Sequence, residues 1–455
     1  MRPIRRRTFL AGVSASVAAL AGRDLLGERP LIASGPMLGP AGPREVVVWL
    51  QTAWPETLQL RFAPVGQPER ARLTEQVMSK RENDGIVVFR IPNLAAGTRY
   101  LYEIFASGRS ISSPLGPLSF STTPEPGTVH DLVLLTGSCF YERDTAEPNY
   151  EINAGPPEIF LRMAEQKADF MIWLGDNLYL RESDLSAPSA LAARYRRVRA
   201  TPELQPFLAG TRQVATWDDH DFGANDDGFA YPLSNVTRQL FMRYWPPVAT
   251  YGIAGTAGVF QTLKAADVEV FLVDDRTYRS SRVVPEGPGK TYLGAAQLAW
   301  LRGELERSTA TFKIIASGSQ VLTGVAHRFE RWSAYATELA ELFAFLKEKR
   351  IGGVVFLSGD RHWTEVNRVI VPGLYPVHDF TCSPLTAKVR ESDQSDPERR
   401  NPERVPGTLL RERNFGALRF EGKKGDRRLA LEAWDGKGVR RFRHVIAERD
   451  LRVPS

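Results

Sequence analysis

VATWDDHDFGANDD, residues 214–227, opens as an apolar run and then puts five aspartates, one histidine and one asparagine into ten residues. Like charges this close repel, and a plain surface turn requires none of them. Either the cluster is solvated and caps the next helix, or a cation sits there. The same pattern recurs along the chain. LVLLTGSC ends in Ser138-Cys139, FMIWLGDN in Asp176-Asn177, VEVFLVDDR in Asp274-Asp275-Arg276 and VVFLSGDRH in Asp360-Arg361-His362. Five apolar runs, each short enough for a buried strand, carry their ligand-type residues at the C-terminal end. In open α/β sheets, ligands bind outside the carboxyl ends of the strands. The pattern therefore predicts one site assembled from five strand ends.

The surrounding segments support an α/β layered domain. PEIFLRMAEQ (157–166), TPELQPFLAG (201–210), GAAQLAWLRGELER (294–307) and YATELAELFAFLKEKR (335–350) have helical spacing, and each leads into a strand. Thr201 and the glutamate at 203 suggest a capping box. Residues 44 to 123 read differently. VVVWLQTAW, TLQLRFAP, IVVFRIP and TRYLYEIFA are short β-type runs bounded by Pro, Gly, Asn or Asp, which predicts a small β-sandwich. TTPEPGT (122–128) is a linker by composition. The expected boundaries are 40–124 for the sandwich and 129–455 for the larger domain.

The first 22 residues, MRPIRRRTFLAGVSASVAALAG, have a basic start and then the uncharged stretch Thr8 to Gly22, the design of a secretory signal. Arg6-Arg7-Thr8-Phe9-Leu10 resembles the twin-arginine export signal, and Ala19-Leu20-Ala21 is a plausible cleavage site. The expected partner is therefore the twin-arginine export machinery, and the expected location is periplasmic or secreted. That route carries folded proteins, often with cofactors loaded. Lys and Arg number 59 against 53 Asp and Glu, a net +6. Without Arg2, Arg5, Arg6 and Arg7 the remainder is near +2, which gives no case for nucleic-acid binding. Of the two cysteines, Cys139 ends a strand, whereas Cys382 has no motif partner and reads as a buried small residue. A disulfide is the alternative in an oxidising compartment.

The chemistry narrows by exclusion. No G-x-S-x-G, H-E-x-x-H or C-x-x-C motif is present, and GPGKT (287–291) lacks the first glycine of a phosphate-binding loop. Aspartate, asparagine, tyrosine, cysteine and histidine converging on one edge suit metal ions. A carboxylate bridging two cations can serve an in-line displacement at phosphorus, with the cations activating a water.

The segments GSC (137–139), LGDNLY (174–179), YRRVRATPELQPFLAGTRQVATWDDHD (195–221), VDDRTYR (273–279), TYLGAAQLAWL (291–301) and LSGDRHWTE (357–365) together resemble the PhoD-like alkaline phosphatases, a branch of the calcineurin-like metallophosphoesterases. That resemblance implies a layered β-sandwich flanked by helices, behind a fibronectin type III-like domain. Leu94-Ala95-Ala96-Gly97-Thr98-Arg99-Tyr100 is similar to the leucine, glycine and tyrosine pattern of the latter. It also implies a cluster of Fe(III) with Ca²⁺ and a phosphate ester substrate. Its site transfers residue by residue. Cys139 and Tyr179 would bind iron, and Asp176 would bridge. Asp219, Asn225 and optionally Asp218 would hold the second metal, and Asp360 and His362 would complete the set. His220 would face the leaving oxygen, and Arg276 would contact phosphate; the alternative for Arg276 is a salt bridge to Asp274 or Asp275. Arg181 stands where the pattern usually has glutamate, which leaves metal identity and substrate size open. The rival readings are a phosphodiesterase or phospholipase D-like enzyme acting on phospholipid or a teichoic-acid-like polymer, and a surface binding protein with structural metals and no turnover. A monomer is expected.

Overall fold

The computed structural model describes residues 30–454 except 146, 148, 248, 326–328 and 392–396. The export-type signal at 1–22 lies outside the described residues. The first 90 or so described residues form two facing antiparallel sheets. One contains Ile32–Ala41, Val46–Thr52 and Ile86–Ile91; the other centres on Thr57–Pro64 and Arg99–Ala106. Val46, Val48 and Leu50 meet Leu58, Leu60 and Phe62 between them. The residues of VVVWLQT are all buried because its other face lies against the larger domain. There Trp49 stands 5.8 Å from the Tyr244 ring and donates to the Arg243 carbonyl at 3.0 Å. Tyr100 accepts a hydrogen bond from the Ala95 N–H at 2.9 Å, as in the tyrosine corner of such sandwiches.

The sandwich begins earlier than the expected residue 40. Its first strand, IASGPMLGPA, is broken by glycines and prolines and has an irregular register. It is an edge strand, where prolines are tolerated, so its sequence carries no alternating signal.

The larger domain stacks two six-stranded sheets. Leu132–Gly137, Phe170–Leu174 and Arg212–Thr216 run parallel in the first. They continue through the antiparallel strands Asn414–Glu421, Arg428–Asp435 and Arg440–Ala447. Val268–Leu272, Phe312–Ala316, Val354–Ser358 and Val377–Thr381 run parallel in the second, with Gln261–Ala265 and Glu365–Val369 antiparallel at its edges. Side chains alternate along each strand. From Phe170–Leu174, the residues Phe170, Ile172 and Leu174 enter the core between the sheets, while Met171 and Trp173 face the outer helices. Burial on both faces explains why these strands read as unbroken apolar runs. The sheets touch directly at Phe312 and Phe420, 5.3 Å between rings.

Helices cover both outer faces. Ala295–Arg307 buries Leu298, Leu301 and Leu305, and Ala336–Glu348 buries Leu339, Leu342 and Leu346. Ile159–Glu165, Pro188–Arg199 and Ser234–Tyr244 cover the first sheet. The expected cap at Thr201 does not form: Pro202–Leu204 is a 3₁₀ turn leading into Gln205–Gly210, and Thr201 makes no side-chain cap. The parallel strands of both sheets end at the same edge, and the site lies there.

Candidate metal centre and active site

The five aspartates of 218–227 have separate tasks. Asp221 turns inward, accepting from the Asp218 N–H at 3.1 Å and the Asn177 N–H at 3.1 Å, and so ties two strand ends together. Asp227 accepts from the Ala224 N–H at 3.0 Å and closes the loop. Asp226 is exposed. Asp219 is buried, and its Oδ2 accepts from the Asp226 N–H at 2.8 Å. Its Oδ1 has no hydrogen-bond partner. A buried carboxylate oxygen left bare is costly, and a cation would remove the cost.

Asp176 is the hub. Its Oδ2 receives the Tyr179 hydroxyl at 3.0 Å and lies 3.4 Å from Cys139 Sγ, while its Oδ1 accepts from the His220 N–H at 3.3 Å. The Tyr179 hydroxyl is also 3.0 Å from His362 Nε2, and the Tyr179 ring lies against His220, 4.2 Å between centroids with the planes tilted by 33°. Among the described residues, three sets of ligand atoms lie within 4.8 Å of one another: Cys139, Asp176 and His362; Asp176, Asp219 and His220; Asp219, Asp226 and Glu330. The first, with Tyr179 beside it, mixes sulfur, nitrogen and oxygen and suits a transition metal. The last is all carboxylate and suits a hard cation. Asp176 belongs to the first two sets and Asp219 to the last two.

The backbone is bent to hold this arrangement. Cys139, Asp176, Asp360 and His362 have φ of 61°, 46°, 69° and 57°. Non-glycine residues rarely adopt such values, and they concentrate at functional sites.

The gathered acids perturb one another's protonation. Burial, with Asp219, Asp221 and Asp360, pushes the Asp176 carboxyl well up. Burial drives Asp360 to about 7, with Arg361 opposing and Asp219 reinforcing. Burial and then Asp176 push up Cys139 and Tyr179, and burial pushes His362 down to about 4. In Asp219, burial is outweighed by His220 and Arg276, which hold its carboxylate below the usual range. A bound cation inverts this logic by favouring carboxylate, thiolate and neutral imidazole. The residues therefore fit a metal centre.

The structure gives Arg276 and Asp218 places other than those expected. Both are fully buried. Arg276 Nε donates to Asp218 at 2.6 Å, its Nη1 pairs with Glu330 at 2.6 Å, and its Nη2 reaches Ser319 at 3.0 Å. A guanidinium held by two carboxylates beneath the site floor is not presented to a phosphate. Asp218, taken up by Arg276 and Ser319, has no oxygen turned to a metal. Of the two salt bridges weighed for Arg276, Asp275 is 3.8 Å away. Asp274 instead accepts from Trp217 and Val259. Asn225, exposed, lines the cavity together with Asp176, Asp219, His220, Asp360 and His362.

Two acids of the site lie outside the residues expected from the sequence. Asp226 was visible in the opening cluster without an assigned role. Glu330 follows no strand end, and only the fold brings it beside Asp219. Arg181, the departure from the family pattern, pairs with Glu147 at 2.7 Å and lies 3.7 Å over the Tyr141 ring, behind Tyr179. Among the described residues both cysteines are free. Burial pushes the Cys382 thiol up to about 12.

The cavity at this edge encloses about 760 Å³, within the range of about 300–1,000 Å³ typical of small-molecule sites. A model of the PhoD-like phosphatase family matches residues 138–431. Alkaline phosphatase D of Bacillus subtilis (strain 168) is 22% identical over 307 residues, 57% of this chain and 50% of that protein; the chain thus spans about half the length of this curated relative. The solved structure of PhoD superposes with a TM-score of 0.72 at 16% identity, covering 93% of this chain and 92% of that one. A purple acid phosphatase from yellow lupin (Lupinus luteus) seeds gives 0.63 at 12% identity, covering 91% and 75%. Both structures share the fold. With the family model spanning more than half of its length, the chain belongs to the PhoD-like phosphatase family.

Proposed function

We propose that the protein is an exported, metal-dependent phosphoesterase hydrolysing phosphate mono- or diesters. The observation that carries this reading is Asp176, shared between two ligand sets at one strand-end edge and surrounded by groups that burial and mutual repulsion make unfavourable without cations. Cys139, Asp176, Tyr179 and His362 would hold one cation. Asp219 would hold another with Asp176, supported by Asn225 and Asp360. The bound cations, Fe(III) and Ca²⁺ by the family resemblance, supply Lewis acidity and a means of activating water. His220, packed against Tyr179 and lining the cavity, assists departure of the alcohol oxygen. Arg276 acts from below, fixing Asp218 and Glu330 so that Asp219 keeps its position. Residues 1–22 would direct the folded chain through the twin-arginine machinery to the periplasm or medium, where it would act as a monomer.

The test is turnover of p-nitrophenyl phosphate against its bis ester, with metal content measured on the same sample. Faster monoester turnover supports a phosphatase, and faster diester turnover a phosphodiesterase. Retained metals with no turnover of either would overturn the enzymatic reading in favour of a surface binding protein. Export is tested separately: replacing Arg6 and Arg7 by lysines should leave the protein in the cytoplasmic fraction, and unchanged export would refute that route.

A further inference from the structure

The corner of Asp219, Asp226 and Glu330 differs from the rest of the centre in its basic neighbours. All three acids line the cavity, and their ligand atoms lie within 4.8 Å of one another. Each also has a guanidinium in ion-pair range. Arg276 Nη1 is 2.6 Å from one Glu330 oxygen, and Arg279 Nη2 is 3.0 Å from the other. Arg276 Nη2 lies 3.9 Å from Asp219 Oδ1, and Arg282 lies 3.2 Å from Asp226. Asp176, by contrast, feels burial and the charges of Asp219, Asp221 and Asp360.

Arg279 cannot move aside. It is buried, and donates through Nε to the Tyr335 hydroxyl at 3.2 Å and through Nη1 to Ser319 Oγ at 3.3 Å. Its guanidinium lies 4.9 Å over the Tyr292 ring and 5.6 Å over that of Tyr335. The Tyr335 hydroxyl is itself fixed, donating to the Ser280 carbonyl at 2.7 Å. Glu330 and Arg276 are buried as well, where salt screens little. A cation entering this corner therefore shares Glu330 with two fixed positive charges, at a depth where charges act strongly. The corner still has a vacant acceptor for it: Asp219 Oδ1 is buried and accepts no hydrogen bond.

Resting on the metal-dependent phosphoesterase reading, we propose that Arg276 and Arg279 are built-in counter-ions of Glu330 that hold this corner to weak, exchangeable binding of a divalent cation. Arg279 is the positioning residue of the pair: it touches neither substrate nor cation and acts through Glu330. The centre then combines firmly held metal at Cys139, Asp176 and His362 with one cation that follows its free concentration.

The experiment reads binding, so it does not depend on turnover. Ca²⁺ is titrated calorimetrically into the protein as purified, after treatment with a calcium-selective chelator. The wild type should show a weak class of site. Arg279→Gln, which removes the charge, should tighten that class by about tenfold or more, and Arg279→Lys, which keeps the charge, should stay near the wild type. Asp226→Asn changes an exposed side chain and should loosen or abolish the weak class while leaving any tight one. Absence of a weak class in the wild type, or a weak class unmoved by Asp226→Asn, overturns the proposal, and these two measurements decide it even where Arg279→Gln does not fold. A weak class that Arg279→Gln leaves unmoved or loosens overturns the counter-ion role. Any of these failures in a protein that still hydrolyses p-nitrophenyl phosphate or its bis ester leaves the phosphoesterase reading intact. The expected binding pattern in a protein that hydrolyses neither ester overturns that reading alone.

Discussion

Asp176→Asn should make the metal-free protein more stable while removing its response to metal. Asn nearly matches Asp in shape and tolerates the left-handed backbone at this position, where φ is 46°. What changes is the charge and one acceptor: with the amide oxygen kept towards Tyr179 and Cys139, the amide nitrogen gives up the 3.3 Å contact from the His220 N–H. Ligand atoms of Asp176 and Asp219 lie within 4.8 Å, where two full charges repel by about 3 kcal/mol at an effective dielectric near 20. Protonation of Asp176, whose carboxyl is already pushed up, relieves part of this. The expected gain in metal-free stability is about 1–3 kcal/mol. Each kcal/mol moves the melting temperature by about 2–4 °C in a domain of 150–250 residues and by less in a larger one, so the shift is a few degrees. With metal the order reverses: a ligand at 100 times its Kd stabilises the wild type by about 2.7 kcal/mol, and the variant, lacking the shared carboxylate, gains little. The assay is differential scanning calorimetry of both proteins with chelator and with iron plus calcium. A variant that melts below the wild type in chelator, yet rises equally with metal, would refute the reasoning.

Arg276→Ala leaves Asp218 buried without its cation and Glu330 with Arg279 alone, and should cost about 3–5 kcal/mol; a urea-unfolding loss under about 1 kcal/mol would show that Arg276 is not a structural tie. His220→Ala should lower kcat by about 10²–10⁴ for esters of poor leaving alcohols and much less for p-nitrophenolate; equal losses argue against leaving-group assistance, and loss of metal would make His220 a ligand, as its place in the second ligand set permits. His378, 5.5 Å from His444 in ring contact, is held down to about 4 by burial, then by His444 and Arg368. A depressed histidine gives stability that is complete above its ordinary 6.5 and is lost as pH falls towards 4, worth roughly 3 kcal/mol at 1.36 per unit. His378→Phe should therefore flatten the acid side of the melting-temperature profile, and an unchanged profile would contradict the assignment.

The strand ends were legible because the central parallel strands are buried on both faces, so LVLLTG, FMIWL and VVFLS stand out as apolar runs and the polar residues after them mark one edge. The roles expected for Cys139, Asp176 and Tyr179 rest on the resemblance, and the fold brings the three side chains together. What was illegible is pairing. The sequence shows Asp218 beside Asp219 but not that one turns to Arg276 and the other to the cavity. It shows Glu330 as one acid among many, because its partners Arg276 and Arg279 are more than fifty residues away. The edge strand Ile32–Ala41 hid behind its prolines and glycines for a related reason: its pairing with Val46–Thr52 is set by the neighbour, not by its own pattern.

On the proposed function the strand-end cluster works only when it holds cations. The most direct test strips the purified protein with chelator, restores iron and calcium in steps, and records phosphate ester hydrolysis against metal atoms bound per chain. The stripped protein should show no turnover, the rate should rise with occupancy, and Asp176→Asn should not recover. Full activity in the metal-free protein would contradict it.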